Sequence, residues 1–153
     1  MYNMARKTKK EFSAGFVVFY KKNLIDDKCE LLLLDHGSHI SHPKGHIEKG
    51  ETKIQTAIRE LKEETNLSPY IFSKAPIKII KYRIKRPNFD INKTVYLFAT
   101  ITKEGEIKIS NEHKRFILVD INSQQAINTI TYNQDKSSFK EALTWYEENK
   151  NNL

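Results

Sequence analysis

The chain is predicted to fold as an α/β protein, with a mixed sheet covered by helices. Three observations predict this. Strand-type and helix-type segments alternate in the order strands, helix, strands, helices. Residues 30–35 (ELLLLD) are a continuous apolar run of strand length, the pattern of a fully buried strand. Residues 52–65 have a helical period, with an apolar stripe on one side and acidic residues on the other. The 153 residues are enough for one domain with a sizeable core.

The elements follow in order. Residues 1–11 read as a flexible basic lead (Arg6, Lys7, Lys9, Lys10), and 12–153 as a single domain. Residues 12–20 are apolar, β-branched and aromatic, hence a strand. Residues 21–28 are a polar connection with turn formers Asn23, Asp26 and Asp27. Residues 36–43 are a loop containing Gly37 and Pro43, and 44–51 a second loop. The helix after it opens on Thr52 with Gln55 three residues on, a capping box. Its inner stripe is Ile54, Ala57, Ile58 and Leu61, and Pro69 lies just beyond its end. Residues 77–85, 94–102 and 115–120 have strand character. In the first of these Ile80, Tyr82 and Ile84 alternate with Lys81, Arg83 and Lys85, which gives one basic face. Residues 123–129 read as a short helix capped by Ser123. A last helix starts at Ser137 or Ser138, with Phe139, Ala142, Leu143 and Tyr146 inward.

The formal net charge of +7 and pI near 9.4 suit a polyanionic ligand, whether polyphosphate or nucleic acid. A single cysteine, Cys29, excludes an internal disulfide and any Cys/His metal cluster, and fits a reducing cytoplasm. The run 14–20 is too short for a signal peptide, and no stretch approaches transmembrane length. No obligate protein partner is evident.

Residues 45–67 carry the chemistry. Glu60, Glu63 and Glu64 share one helical face, because i, i+3 and i, i+4 side chains are neighbours there, and Glu51 precedes the helix. Like charges at that spacing destabilise a bare helix. A divalent cation relieves the repulsion, and Mg²⁺ prefers hard oxygen ligands. The spacing therefore points to a Mg²⁺ site, with Mn²⁺ the other option.

The same segment resembles the Nudix box, G-x5-E-x7-R-E-U-x-E-E-x-G-U, where U is a bulky aliphatic residue. Gly45, Glu51, Arg59, Glu60, Leu61, Glu63, Glu64 and Leu67 match. Asn66 stands where the family has Gly, a mild change at a helix end, since Asn also tolerates the left-handed conformation. The resemblance implies an α/β/α sandwich and metal-dependent hydrolysis of phosphoanhydrides. It makes Glu60 and Glu64 the principal metal ligands, Glu63 a further ligand or the proton acceptor, and the Gly45 carbonyl an extra ligand. It gives Glu51 and Arg59 a structural pairing.

The flanking segment Pro43-Lys44-Gly45-His46 is similar to the opening of the box in asymmetrical diadenosine tetraphosphate hydrolases. Lys93-Thr94-Val95 is similar to a segment of that group whose lysine contacts phosphate. Asn111-Glu112-His113 is similar to a stretch whose glutamate reaches the metal site from outside the box. His39 falls near the group's loop histidine and Tyr132 near its adenine-stacking aromatic. A Trp common ahead of the box is absent, with Ile40 and His42 in that region.

This resemblance makes Glu63, Glu112 and His39 catalytic candidates and adds Glu112 to the metal ligands. Lys44, Lys93 and Tyr132 become substrate contacts; Tyr82, Tyr96 and Tyr132 are aromatics of the kind that stacks on a base, and Tyr82 joins the substrate contacts on that ground. The implied reaction is Mg²⁺-dependent hydrolysis of a small dinucleoside polyphosphate, diadenosine tetraphosphate to ATP and AMP. Removal of pyrophosphate from an RNA 5′ end is the alternative enzymatic reading, suited by the basic strand that ends in Arg86. A non-catalytic nucleotide sensor is the alternative outside enzymes.

Overall fold

A computed structural model of the chain describes residues 6–113 and 115–153. Its elements are β1 (Lys7–Tyr20), β2 (Glu30–Asp35), β3 (Ile40–Ser41), β4 (Lys44–His46), α1 (Lys53–Thr65), β5 (Pro69–Phe72), β6 (Lys78–Lys85), β7 (Phe89–Thr102), β8 (Arg115–Asp120), α2 (Gln124–Thr129) and α3 (Asn133–Asn149). A single-turn 3₁₀ segment, Lys150–Asn152, closes α3.

The strands form one mixed sheet. β1 and β7 run parallel, from the pair Lys7 and Phe89 to the pair Phe19 and Ile101. All other pairings are antiparallel. On its far edge β1 pairs first with β4 and then with β2, while β7 carries β6 and then β5. β8 pairs along the whole of β2.

Alternation along β1 sets the two layers, because successive side chains point to opposite faces. Ala14, Phe16 and Val18 pack with Leu32, Phe98 and the α1 residues Ala57 and Leu61. Val17 and Phe19 pack with Leu31, Leu33, Ala99 and Ile101, and with Phe139, Ala142 and Tyr146 of α3. The sheet thus lies between α1 on one side and α2 and α3 on the other, the expected α/β/α arrangement. Trp145 sits at the core edge, stacked on Phe19 at 6.5 Å between ring centroids. Among the described residues, no helix is long and apolar enough to cross a membrane.

Several expectations need correction. Residues 7–11 are not a flexible lead: they are paired strand, continuous with the rest of β1. Their outward polar side chains look like a solvated tail, and only the long-range ladder with β7 orders them. Residues 1–5 of that lead lie outside the described residues. β7 begins at Phe89 rather than 94 for the same reason. The short strands β3, β4 and β5 fall in segments expected to be loops or left unassigned. Each is two to four residues long, too short to show a period of two.

α3 starts at Asn133, four or five residues before the expected Ser137 or Ser138. Its first turn is held from outside the helix. The Ser41 hydroxyl donates to the Asp135 carboxylate at 2.8 Å, and the His42 ring bonds the Asp135 carbonyl at 3.0 Å. Ser123 does occupy the cap position of α2, but its hydroxyl donates backward to the Asp120 carbonyl instead of accepting from the helix.

Candidate active site

β4 and α1 bring the box residues together. Gly45 lies opposite Ala14 on β1, and a β-carbon at Gly45 would collide with the Glu60 carboxylate. Gly15 plays the matching part on β1, where a β-carbon would press against the Lys44 Cα at 2.8 Å. These two glycines allow strand, loop and helix to approach this closely.

α1 is closed at both ends as expected. The Thr52 hydroxyl accepts from the Gln55 amide at 3.2 Å, and the Gln55 side chain accepts from the Thr52 amide at 2.9 Å. Asn66 takes φ 69° and donates its amide to the Lys62 carbonyl at 2.9 Å, an αL C-terminus.

Glu51 and Arg59 form the clamp between loop and helix. Arg59 Nε and Nη2 donate to the two Glu51 carboxylate oxygens at 2.7 and 2.9 Å, and Nη2 also donates to the His46 carbonyl at 3.0 Å. Glu51 accepts further from the Glu48 amide and the Thr56 hydroxyl. The Arg59 bond, with the Glu48 amide behind it, pulls the Glu51 pKa down to about 2. The guanidinium is held charged by the same carboxylates. Such bidentate, charge-assisted pairing is geometrically specific as well as strong.

The remaining carboxylates differ sharply in environment. Glu60 is mostly covered and accepts from Arg59 Nη1 at 2.8 Å. Glu63 is exposed, 3.2 Å from the same nitrogen. Glu64 is buried, its side chain 5% exposed, and its Oε2 has no hydrogen-bond partner. Burial, then the Glu60 carboxylate, raises the Glu64 pKa; Glu112 adds to the rise and the Lys44 amide opposes it. Glu112 itself is exposed, in a turn before β8. His113 brings its Nε2 to 3.9 Å from Glu64 Oε2.

A buried carboxylate oxygen without a donor is costly unless something charged faces it. With no side chain at Gly45, the Glu60 carboxylate lies directly over its backbone, and the donors are hard oxygens. These features fit a divalent cation. Arg59 currently holds Glu60 and Glu63, and among the described residues no group of three acidic, His or Cys side chains is arranged as a ready cation cage. Glu51 belongs to the clamp, as expected, and Glu60, Glu63 and Glu64 share one helical face but sit in three environments.

Lys44, next to Gly45, joins this cluster to a cavity of about 810 Å³. Its wall includes His39, Tyr82, Tyr132, Arg86 and Asp135, over a floor of Ile80, Ile84 and Val95. Three of the four expected substrate contacts, Lys44, Tyr82 and Tyr132, line it. Lys93 does not, but it is the cross-strand partner of Tyr82, with Nζ 3.5 Å from Glu11. Burial lowers its pKa. Tyr96, another aromatic of stacking type, lies on the opposite face of the sheet.

The histidines divide as well. His42 is fully buried, bonded to α3, and its pKa is lowered by burial. His46 is exposed. His39 lies 5.1 Å from the Tyr132 ring and stacks at 4.7 Å on His36, which meets His113 edge-on at 4.9 Å. His36 and Asp135 were not selected from the sequence, and Arg86 was read only as the end of the basic strand. His36 precedes His39 by three residues in a loop, a spacing that carries no meaning until the loop folds back, with the His36 amide on the His39 carbonyl at 2.9 Å.

A model of the NUDIX domain matches residues 15–142. The chain belongs to the Nudix family and is a pyrophosphohydrolase of it, a family that generally uses divalent metal ions. Among its relatives, the asymmetrical bis(5′-nucleosyl)-tetraphosphatase of Sus scrofa is 30% identical over 115 residues, covering 68% of this chain and 75% of that protein. The Mus musculus protein of the same name is 27% identical over 141 residues, covering 84% and 90%. In solved structures the fold is matched by an Ap4A hydrolase binary complex of C. elegans, with TM-score 0.65 and 23% identity over 90% of this chain and 98% of that one. The NUDIX domain of Shewanella oneidensis NrtR, complexed with ADP ribose, has TM-score 0.67 and 13% identity over 93% and 89%.

Proposed function

We propose that the enzyme hydrolyses dinucleoside polyphosphates in a Mg²⁺-dependent reaction, cutting diadenosine tetraphosphate to ATP and AMP. The observation that carries this reading is the cavity shared by Tyr82, Tyr132 and Lys44 beside the box carboxylates. Two half-exposed aromatics over an aliphatic floor suit a nucleobase, and Lys44 and Arg86 suit the phosphates that lead from it. The names of the pig and mouse relatives agree with this substrate class.

Glu60, Glu63, Glu64 and the Gly45 carbonyl would hold the metal, with Glu112 from outside the box. A bound divalent ion neutralises phosphate charge, orients the chain and acidifies water. The protein's own groups do the rest. Tyr132 and Tyr82 fix the base. Lys44 and Lys93 bind bridging phosphates as point charges. Glu51 and Arg59 keep the loop on the helix. His39, between Tyr132 and His36, holds the base end of the substrate in register. Glu112 or Glu63 accepts the proton of the attacking water as its oxygen bonds to phosphorus. The bridging oxygen then leaves with the departing nucleotide.

The alternative at the RNA 5′ end drew support from the basic strand. In the fold Lys81, Arg83 and Lys85 point away from the cavity, which only Arg86 of that group lines. The reading as a pure sensor leaves the intact set of carboxylates unexplained.

Incubation with Mg²⁺ and diadenosine tetraphosphate, nucleoside triphosphates or triphosphorylated RNA, with the products resolved, tests the proposal. Equal amounts of ATP and AMP from the first substrate are expected. Pyrophosphate from RNA with no cleavage of the dinucleotide would overturn it. Lys93→Met is expected to lower kcat/KM on the tetraphosphate by about 1–3 kcal/mol of transition-state binding. The loss should be smaller on the triphosphate analogue; parallel losses would remove Lys93 from the bridging phosphates.

A further inference from the structure

The sheet has a second bare face. In β6 the side chains of Ile80, Tyr82 and Ile84 turn to the cavity, so Lys81, Arg83 and Lys85 turn to the other side. Their cross-strand partners on β7 are Thr94, Asn92 and Asp90, and the Arg83 side chain reaches Asn92 at 3.2 Å. Lys10 and Phe12 of β1 lie in the same rows, opposite Asn92 and Thr94. α1 covers this face only from Ala14 onward. Ahead of the helix the face opens into a cavity of about 730 Å³ bordered by Lys10, Phe12, Tyr96 and Lys53.

The charge of this face is one-sided. Lys10, Lys81, Arg83 and Lys85 are exposed, as is Lys53 at the start of α1, and among the described residues none of the five has an ion-pair partner. The nearby carboxylates are engaged: Asp90 is buried under Arg6, Glu11 faces Lys93 and Glu51 is held by Arg59. Along β6 the cations recur about every 6.7 Å, twice the strand rise. Beside them Phe12 is 43% exposed, and Lys53 lies 4.1 Å from the Tyr96 ring centroid.

We infer that this face binds single-stranded nucleic acid. The basic row on β6 and Lys10 track successive phosphates, and Phe12 stacks on an unpaired base. A row of cations alone would take any polyanion; the exposed ring within the row selects a strand whose bases are free. The site lies across the sheet from the nucleotide cavity, so it is independent of the reaction proposed above.

The test uses fluorescence anisotropy with labelled RNA and DNA strands of about 12 nucleotides bearing 5′-hydroxyl ends, which offer no phosphoanhydride. Binding of either strand is expected, with affinity falling steeply between about 50 and 200 mM salt. The combined variant Lys81→Glu, Arg83→Glu, Lys85→Glu should bind at least tenfold more weakly. Its log–log salt slope should be shallower by about 2, three phosphates at about 0.7 each. Phe12→Ala, a small change at an exposed position, should lose about fivefold or more with the salt slope unchanged. Thermal unfolding of each variant confirms that it is folded. Absence of binding by both strands, equal binding of wild type and charge variant, or equal affinity for single strand and duplex would each overturn the inference.

Discussion

Glu64 combines three properties that no neighbour shares: it is buried, it lies beside Glu60, and one of its oxygens has no donor. Glu64→Gln keeps the shape and removes the charge. Turnover at saturating Mg²⁺ is expected to fall by about two to four orders of magnitude, the scale of a main electrostatic term. The thermal midpoint of the metal-free protein should hold, because burial and Glu60 already favour the uncharged form of this side chain and glutamine keeps its shape. Near-normal turnover would exclude Glu64 as a metal ligand. Glu51 shows the opposite shift, with its folded pKa down at about 2 through Arg59 and the Glu48 amide. A depressed carboxylate pKa means that the unfolded chain binds more protons, so stability rises with pH across the window. This contribution is complete above the unfolded value near 4.5 and is lost as pH falls toward about 2. Glu51→Gln should therefore unfold at a lower temperature than wild type at pH 7. The gap should close as the pH is lowered through that window, and a gap independent of pH would show that Glu51 acts by packing alone.

At the scale of the element, α1 supplies the carboxylates and is fixed by its two ends. Asn66 holds the C-terminus in the left-handed region and also donates its side chain to the Glu106 carbonyl at 3.2 Å. Asn66→Ala should cost about 1–2 kcal/mol in urea denaturation, since a β-carbon is disfavoured there and Ala has no local hydrogen bond to offer. Asn66→Gly, which restores the family's usual residue, should cost less than Asn66→Ala. Equal costs would mean that the Glu106 bond, not the backbone conformation, decides this position. α1 was legible in the sequence from cap to cap because its signals are local: Thr52 with Gln55, the stripe from Ile54 to Leu61, and Asn66 before Pro69. The body of α3 was legible too, with Phe139, Ala142, Leu143 and Tyr146 inward, but its first turn was not, because it depends on Ser41 and His42, more than ninety residues away.

At the scale of the molecule, the odd and even positions of β1 divide the interior into two layers, and Phe139 is the largest fully buried α3 side chain in the layer opposite α1. Phe139→Ala should cost about 3–5 kcal/mol, because the rigid sheet beneath it cannot collapse into the space. For a chain of this size that lowers the thermal midpoint by about 10 °C. Because α3 also carries Asp135 into the cavity, KM for the nucleotide substrate should rise in the folded fraction. A shift of only a degree or two would mean that α3 is a loosely attached cover.

The sequence by itself determined the α/β class, the Nudix box and the register of α1. Each of these is written in short-range spacing, which a helical or strand period converts directly into a shared face. Only the tertiary structure decided what those residues do to one another. Arg59 takes Glu51 and reaches Glu60 and Glu63, while Glu64 lies buried against Glu60 with one oxygen unpartnered. Lys93 is placed behind Tyr82 instead of on the cavity wall, and the polar residues 7–11 become strand through pairing with β7. Burial and partner choice depend on segments brought together from far along the chain. That is why Lys81 and Tyr82, neighbours in sequence, end on opposite faces of the sheet.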